Sequence, residues 1–342
     1  MAILMMKDKP VYDIAKNTVL DEMLCPFVDR KNTKRAYALW RKHRFYLKTN
    51  RTAERVIAQA GGEHTKEAKR RLSLSDCYWV QYPYDKDVKF IDITPYKNPF
   101  SLIQVHRGGV ASSAVPELVL GGSQPKQWGL GQDGVTYMSK AEQGLQIHGE
   151  MLAVKLAHAS GLKSMNTFVR TEKGKLYAKN YPLSFNYHSM GIINLVNMTS
   201  LNRSLIQFDQ LGIAPNGYDP TSVAEAYRTA GVQADVTKIA LTQVMFDAVV
   251  GNMDRKSNNS NWGIFLDNTT GVRTPSWLYD FNWANITTAT PQMIEEVAMH
   301  IKNAGLADTA KVLLVPIINA CEDLSLTLWK QNAEALLGYI FL

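Results

Sequence analysis

From residue 234 to 252 the chain reads ADVTKIALTQVMFDAVVGN, apolar on nearly every side of a helical wheel, which predicts a buried helix. Gly251 stands where such a helix stops, and the polar run NMDRKSNNSN follows. Next come the strand-like WGIFLD, the turn NTTG and the return strand VRTPSWLYDF, a hairpin near 262–280. IHGEMLAVKLAHAS, at 147–160, predicts another helix, with Gly161 well placed as its C′ glycine. VTYMSK before it reads as a strand, as do the segments around Thr167–Arg170 and Lys175–Lys179. CYWVQY, after Ser75-Asp76, is a short strand-like piece. Residues 33–72 look helical and very basic, broken at Gly61-Gly62. Residues 83–120 are loop-rich, with Pro83, Pro95, Pro99, Pro116 and the pair Gly108-Gly109. From about residue 190 onward the pattern is mainly helical apart from the hairpin.

These elements describe an α+β chain, a small mixed lobe followed by a larger helical one. We divide it into a basic N-terminal helical segment at 1–82, a small lobe at 83–185 and a large lobe at 186–342. The 342 residues are 46% hydrophobic and 20% charged, which supplies ample core for one bilobal unit. No internal repeat or low-complexity tract interrupts them.

Charge changes the picture in one place. Residues 1–80 hold 17 Lys/Arg against 9 Asp/Glu, whereas the remainder holds 21 against 22. Only the N-terminal quarter is therefore a candidate for nucleic acid or an acidic partner. Trp40, Phe45 and Tyr46 interleave there with Arg41, Lys42 and Arg44, a mixture that suits nucleic acid but more often marks a core under a solvated helix surface. Cys25, Cys77 and Cys321 are odd in number and far apart, so neither a disulfide framework nor a cysteine metal site is expected. The apolar start MAILMM is too short for a secretory signal, and runs such as VLLVPIINA fall below the roughly 18 residues of a membrane span. A cytoplasmic protein without membrane contact is expected.

Two constellations carry chemistry. The first runs Gly121, Gly122, Lys126, Gly129, Gly131, then Lys140, then Glu150. A glycine-rich turn lets backbone N–H groups approach phosphate oxygens, and a lysine on the next strand reaches them as a point charge. Glu150 shares a helix stripe with Val154 and Ala157, a costly place for a carboxylate without a cation, and Lys140 is the candidate partner. Each feature alone is an ordinary surface loop or edge residue; the ordered set is what points to nucleotide. No Walker A pattern is present.

The second constellation lies around the hairpin. Asp254 precedes it, and a turn centred near 269–270 sets Asn261 across from about residue 279, beside Asp280. Two carboxylates and an amide are hard oxygen ligands of the kind magnesium takes beside nucleotide phosphates. Asn259 is the alternative amide, and Pro275 implies a bulge that loosens the register. The plain reading is an Asn/Asp-rich turn that holds no metal.

The order GGSQPKQW, YMSK, HGEMLAVKLAHASGL, VVGNMDRKSNNSNWGIF and WLYDFN resembles the HipA-like serine/threonine protein kinases, and most the divergent branch of Firmicutes and their phages. LSLSDCYWV resembles an N-terminal segment of that branch, so the likeness spans roughly 70–285. It implies a bilobal protein-kinase-like fold, with an antiparallel sheet in a small mixed N-lobe and a mostly helical C-lobe. It also implies ATP and Mg2+ as cofactors, a host protein as substrate and a small antitoxin-like partner. By position, Gly121, Gly122, Ser123 and Lys126 fall in the phosphate loop, Lys140 on the phosphates, and Glu150 behind Lys140. Asp254 is then the catalytic acid, Asn261 or Asn259 with Asp280 holds magnesium, and Lys179, Asn180 and Tyr181 meet adenine through backbone groups. The family's five-residue spacing from aspartate to asparagine selects Asn259, whereas the downstream N-W-G-I-F selects Asn261. Val119 occupies the position of the family's self-phosphorylated serine, with Ser123 nearby, and Lys256 replaces a common histidine. Two other readings stand beside the kinase. One is an interaction module or pseudokinase without turnover; the other is a small-molecule phosphotransferase.

Overall fold

The computed structural model describes residues 2–44, 70–73, 75–94, 103–105, 126–130, 136–143, 145–170, 190–196, 198–256, 258–281 and 283–342. The N-terminal segment is more than helical. β1 (Ile3–Met6), β2 (Lys9–Asp13), β3 (Thr18–Val19) and β4 (Tyr78–Gln81) form an antiparallel sheet in the order β3-β2-β1-β4. The apolar start is thus a strand, buried at Leu4 and Met6. α1 (Thr33–His43) is the expected basic helix, capped by the Asn32 side chain on the Arg35 amide. The chain beyond it, with Phe45 and Tyr46, lies outside the described residues.

Trp40 is core and no stacking platform for bases: it is 2% exposed, between Tyr37 and Tyr78. Part of the basic excess is spent internally as well. Arg44 is buried against Asp76 at 2.7 Å, and Arg70 against Asp85 at 2.8 Å. The reading of this region as a nucleic-acid surface loses those groups for that reason.

β5 (Ile103–Val105), β6 (Lys126–Leu130), β7 (Thr136–Gln143), β8 (Thr167–Arg170) and β9 (Met190–Val196) make a second antiparallel sheet in the order β5-β6-β7-β9-β8. β9, with its Gly-Ile-Ile-Asn-Leu-Val run, lies between β7 and β8. The sheet therefore extends past the expected boundary at 185 and past the onset of helix expected near 190. Lys175–Lys179 is outside the described residues. Between β7 and β8 runs α2 (Leu145–Ala159), closed by Gly161 at φ +74° with the Leu162 amide donating to the Ala157 carbonyl at 2.8 Å.

The third sheet orders β10 (Arg203–Gln207), β11 (Gly263–Asp267) and β12 (Arg273–Pro275) as three antiparallel strands, one more than the expected hairpin. Gly263 lets β11 approach β10 closely, since a Cβ there would stand 2.7 Å from the Ile206 carbonyl oxygen. α3 (Phe208–Leu211) and α4 (Pro220–Thr229) lead into α5 (Val236–Val250), the helix predicted to be buried. It is buried on almost every side and packs on α4, α6 (Pro291–Asn303), α7 (Ala307–Asp323) and α8 (Thr327–Phe341). Asp235 caps its start and Gly251, at φ +68°, its end. Among the described residues no helix is long and apolar enough to cross a membrane, and the three cysteines are buried and free.

Candidate active site

The site is assembled where α5 ends. Two short 3-10 turns, Met253–Lys256 and Asn259–Asn261, fold the polar loop back onto the start of β11. The Asn261 side-chain amide donates to the Asp254 carboxylate at 2.6 Å, and that of Asn258 donates to the same oxygen at 3.1 Å. Asn261 is 3% exposed, whereas Asp254 and Asn259 are half-buried. Asn258 caps the second turn, accepting from the Ser260 amide.

The segment before Asp280 is tied to Asn261 by a route different from the expected ladder. Pairing between β11 and β12 runs through Ile264 opposite Pro275, a position that needs no N–H from the proline, and its last bond is the Ser276 amide donating to the Gly263 carbonyl at 3.0 Å. The chain then leaves β11, and Leu278 forms a parallel bridge with Ser164 beyond α2. What joins residue 261 to residue 279 is Arg255. Its guanidinium donates to the Tyr279 carbonyl at 2.8 Å and to the Asn261 carbonyl at 3.3 Å. Asp280 follows with φ +58°, a left-handed conformation that residues with a Cβ rarely adopt and that gathers at functional sites.

Arg255 itself is 2% exposed and paired with Asp247 of α5 at 2.8 Å. It lies over the rings of Trp262 and Phe281 at 5.4 and 5.3 Å. Burial pushes the Asp247 carboxyl up to about 6 against the opposing pull of Arg255. This pair is not among the residues expected from sequence. The signal was present: an aspartate in an otherwise apolar helix requires a cation, and the arginine after Asp254 supplies it.

Lys256 faces away from this centre. It pairs with Glu296 of α6 at 2.7 Å and lies over the Tyr218 ring, which gives the lysine in place of histidine a physical reason. Gly217 touches the same turn; a Cβ there would collide with the Arg255 carbonyl.

The first constellation is described in part. Lys126 and Lys140 are register partners on β6 and β7, and Lys140 also stands opposite Ile193 of β9, in the middle of the sheet. Glu150 is fully buried on the α2 stripe with Val154 and Ala157, and Lys155 off that stripe is exposed, as the pattern predicts. Gly121, Gly122, Ser123, Lys179, Asn180 and Tyr181 lie outside the described residues. The helix that carries Glu150 meets the loop after Asp280 at Gly149, whose missing side chain leaves room for the Ala284 carbonyl. Exchanging glycine for alanine inside a helix ordinarily gains up to about 1 kcal/mol. Here Gly149→Ala is expected to cost about 1–3 kcal/mol instead, as an overpacked contact does. Denaturant midpoints measure this, and a stabilised variant would contradict the packing described.

No family model matches the chain, and no curated protein matches it. Among solved structures, HipA in the Shewanella oneidensis MR-1 toxin–antitoxin complex with HipB and its operator DNA is similar with a TM-score of 0.56. The match has 11% identity and covers 99% of this chain and 96% of that one. The fold is shared with HipA. The Helicobacter pylori proinflammatory kinase CtkA matches 63% of this chain and 90% of its own, at 14% identity and a TM-score of 0.41. In this shared α+β architecture Lys126 and Lys140 lie on the five-stranded sheet and Asp254 in the turn that follows α5.

Proposed function

We propose that this chain is an ATP- and magnesium-dependent serine/threonine protein kinase of HipA type, toxin-like in action. The observation that carries the reading is the Asn261 amide on the Asp254 carboxylate, with the segment before Asp280 tied to Asn261 through Arg255. The residues that would hold the cation, the Asp280 carboxylate and the Asn261 amide oxygen, are hard oxygen donors that fit it. Magnesium bound with ATP supplies neutralisation of phosphate charge.

The chain's own residues have separate tasks in this reading. Asp254 orients the acceptor hydroxyl and takes its proton as that oxygen bonds to the γ-phosphorus and the bond to ADP breaks. Asp280 and Asn261 hold the metal. Lys140 and Lys126 lie toward the phosphates, Glu150 holds Lys140, and the backbone at Gly121, Gly122 and Ser123 cradles phosphate oxygens. Lys179, Asn180 and Tyr181 meet adenine through their backbone groups. A small antitoxin-like partner is proposed from the likeness to HipA, which was solved with HipB. A small-molecule phosphotransferase would use the same centre and differs only in its acceptor.

Calorimetric titration with ATP tests the reading. Binding should strengthen severalfold when magnesium is added and lose that gain in Asp280→Asn; ATP binding indifferent to magnesium would sink it. The same titration separates the two asparagines. Asn261 is buried and bonded to Asp254, whereas Asn259 is half-buried in the turn. Asn261→Ala should raise the half-saturating magnesium concentration roughly 10-fold or more, because magnesium tolerates little departure from its octahedral geometry. Asn259→Ala should leave it within about twofold. The reverse order would give the metal to Asn259.

A further inference from the structure

Between the two asparagines stands one carbonyl that holds the loop. The Ser260 carbonyl accepts a hydrogen bond from the Gln207 side-chain amide and another, at 2.8 Å, from the Tyr279 hydroxyl. Gln207 ends β10, and Tyr279 directly precedes Asp280. Three segments distant in sequence therefore close on a single oxygen, and both donors are buried, at 6% and 7% exposure.

The peptide whose oxygen is gripped is the one joining Ser260 to Asn261. Fixing its plane fixes the direction in which the Asn261 backbone sets out, and with it the reach of the Asn261 side chain to Asp254. The phenol adds a second constraint, because the ring that donates it belongs to the residue before Asp280. The Ser260 carbonyl thus couples the placement of Asn261 to that of Asp280. A carbonyl with two lone pairs filled from two directions is held more tightly than one with a single donor.

We infer that Gln207 and Tyr279 are positioning residues for the metal-binding pair, acting through the Ser260 carbonyl to set Asn261 and Asp280 in register. The inference rests on the functional reading above. Groups behind a metal ligand typically change metal affinity by roughly 10–100-fold when removed, because they hold the ligand in its bound geometry.

The test compares Tyr279→Phe, which keeps the ring and removes only the hydroxyl, with Gln207→Leu. A control is Gln243→Leu, whose buried amide donates to the Ser276 carbonyl and whose oxygen accepts from Tyr227, away from Ser260. Binding of a fluorescent ATP analogue is followed across magnesium concentrations, alongside the melting temperature of each protein. Tyr279→Phe and Gln207→Leu should each raise the magnesium midpoint roughly 10-fold, with nucleotide affinity recovered at saturating magnesium. Gln243→Leu should lower the melting temperature without moving that midpoint. Unchanged midpoints in both loop variants overturn the inference, as does an equal loss of nucleotide at every magnesium concentration. If Gln207→Leu does not fold, the midpoint of Tyr279→Phe decides alone. A wild-type chain whose nucleotide binding ignores magnesium overturns the functional reading, and the inference falls with it. That outcome is told apart because it appears before any substitution.

Discussion

Asp254→Asn is expected to lower phosphate transfer by roughly 10²–10⁴-fold, the range a positioned general base contributes. Nucleotide affinity should change little in the same protein. The reason is geometric. Asp254 is half-buried at the head of the loop, and one of its oxygens already accepts from two asparagine amides. An asparagine in its place keeps the size and much of the packing, but an amide cannot take the acceptor's proton. The loss should therefore appear in kcat, with the KM for ATP nearly unmoved, as for an interaction made only during transfer. Single-turnover transfer and equilibrium ATP binding on the same preparation measure the two quantities. Appreciable residual transfer, or a parallel loss of binding, would remove Asp254 from this role.

The largest effect on stability is expected at Arg255. Arg255→Met leaves Asp247 buried and uncompensated inside α5, and breaking a buried pair from one side costs about 3–5 kcal/mol. It also strips the donor from the carbonyls of Asn261 and Tyr279. The double variant Asp247→Leu/Arg255→Met should recover a large part of that loss, since no lone buried charge remains. Its catalytic loop should stay poorly placed, because the two carbonyls still lack their shared donor. Denaturant midpoints report the recovery and magnesium-dependent nucleotide binding reports the loop. A double variant no more stable than Arg255→Met would show that the carbonyl contacts, and not the lone charge, set the cost.

The parts of the chain legible in sequence are those whose pattern is strong over a long window. α5 showed as an apolar run closed by Gly251, and α2 as a striped helix closed by Gly161. The burial of Glu150 followed from its place between apolar neighbours on that stripe. Asp254 and Asn261 were legible together, because the loop between a buried helix and a strand leaves few places for them. The short strands β1 to β3 were not legible. Two to five residues give too little alternation to detect, and what makes them strands is pairing, with β1 held between β2 and β4. β9 was hidden similarly, since its ladder partners on β7 lie about fifty residues away along the chain. The hairpin pairing runs only as far as Ser276, and what takes over beyond it, the bridge of Leu278 to Ser164, is a tertiary fact. Arg255, Gln207 and Gly217 escaped notice for the same cause. Each acts on a backbone carbonyl or beside one, and side-chain patterns carry no record of which carbonyl will be near.

The most direct test of the account is incubation of the protein with γ-labelled ATP and magnesium in host lysate, followed by mapping of the label. Label is expected on serine or threonine hydroxyls of a protein acceptor, lost when magnesium is chelated and absent with Asp254→Asn. Label found only in small molecules or in inorganic phosphate, or protein labelling that survives Asp254→Asn, would contradict it.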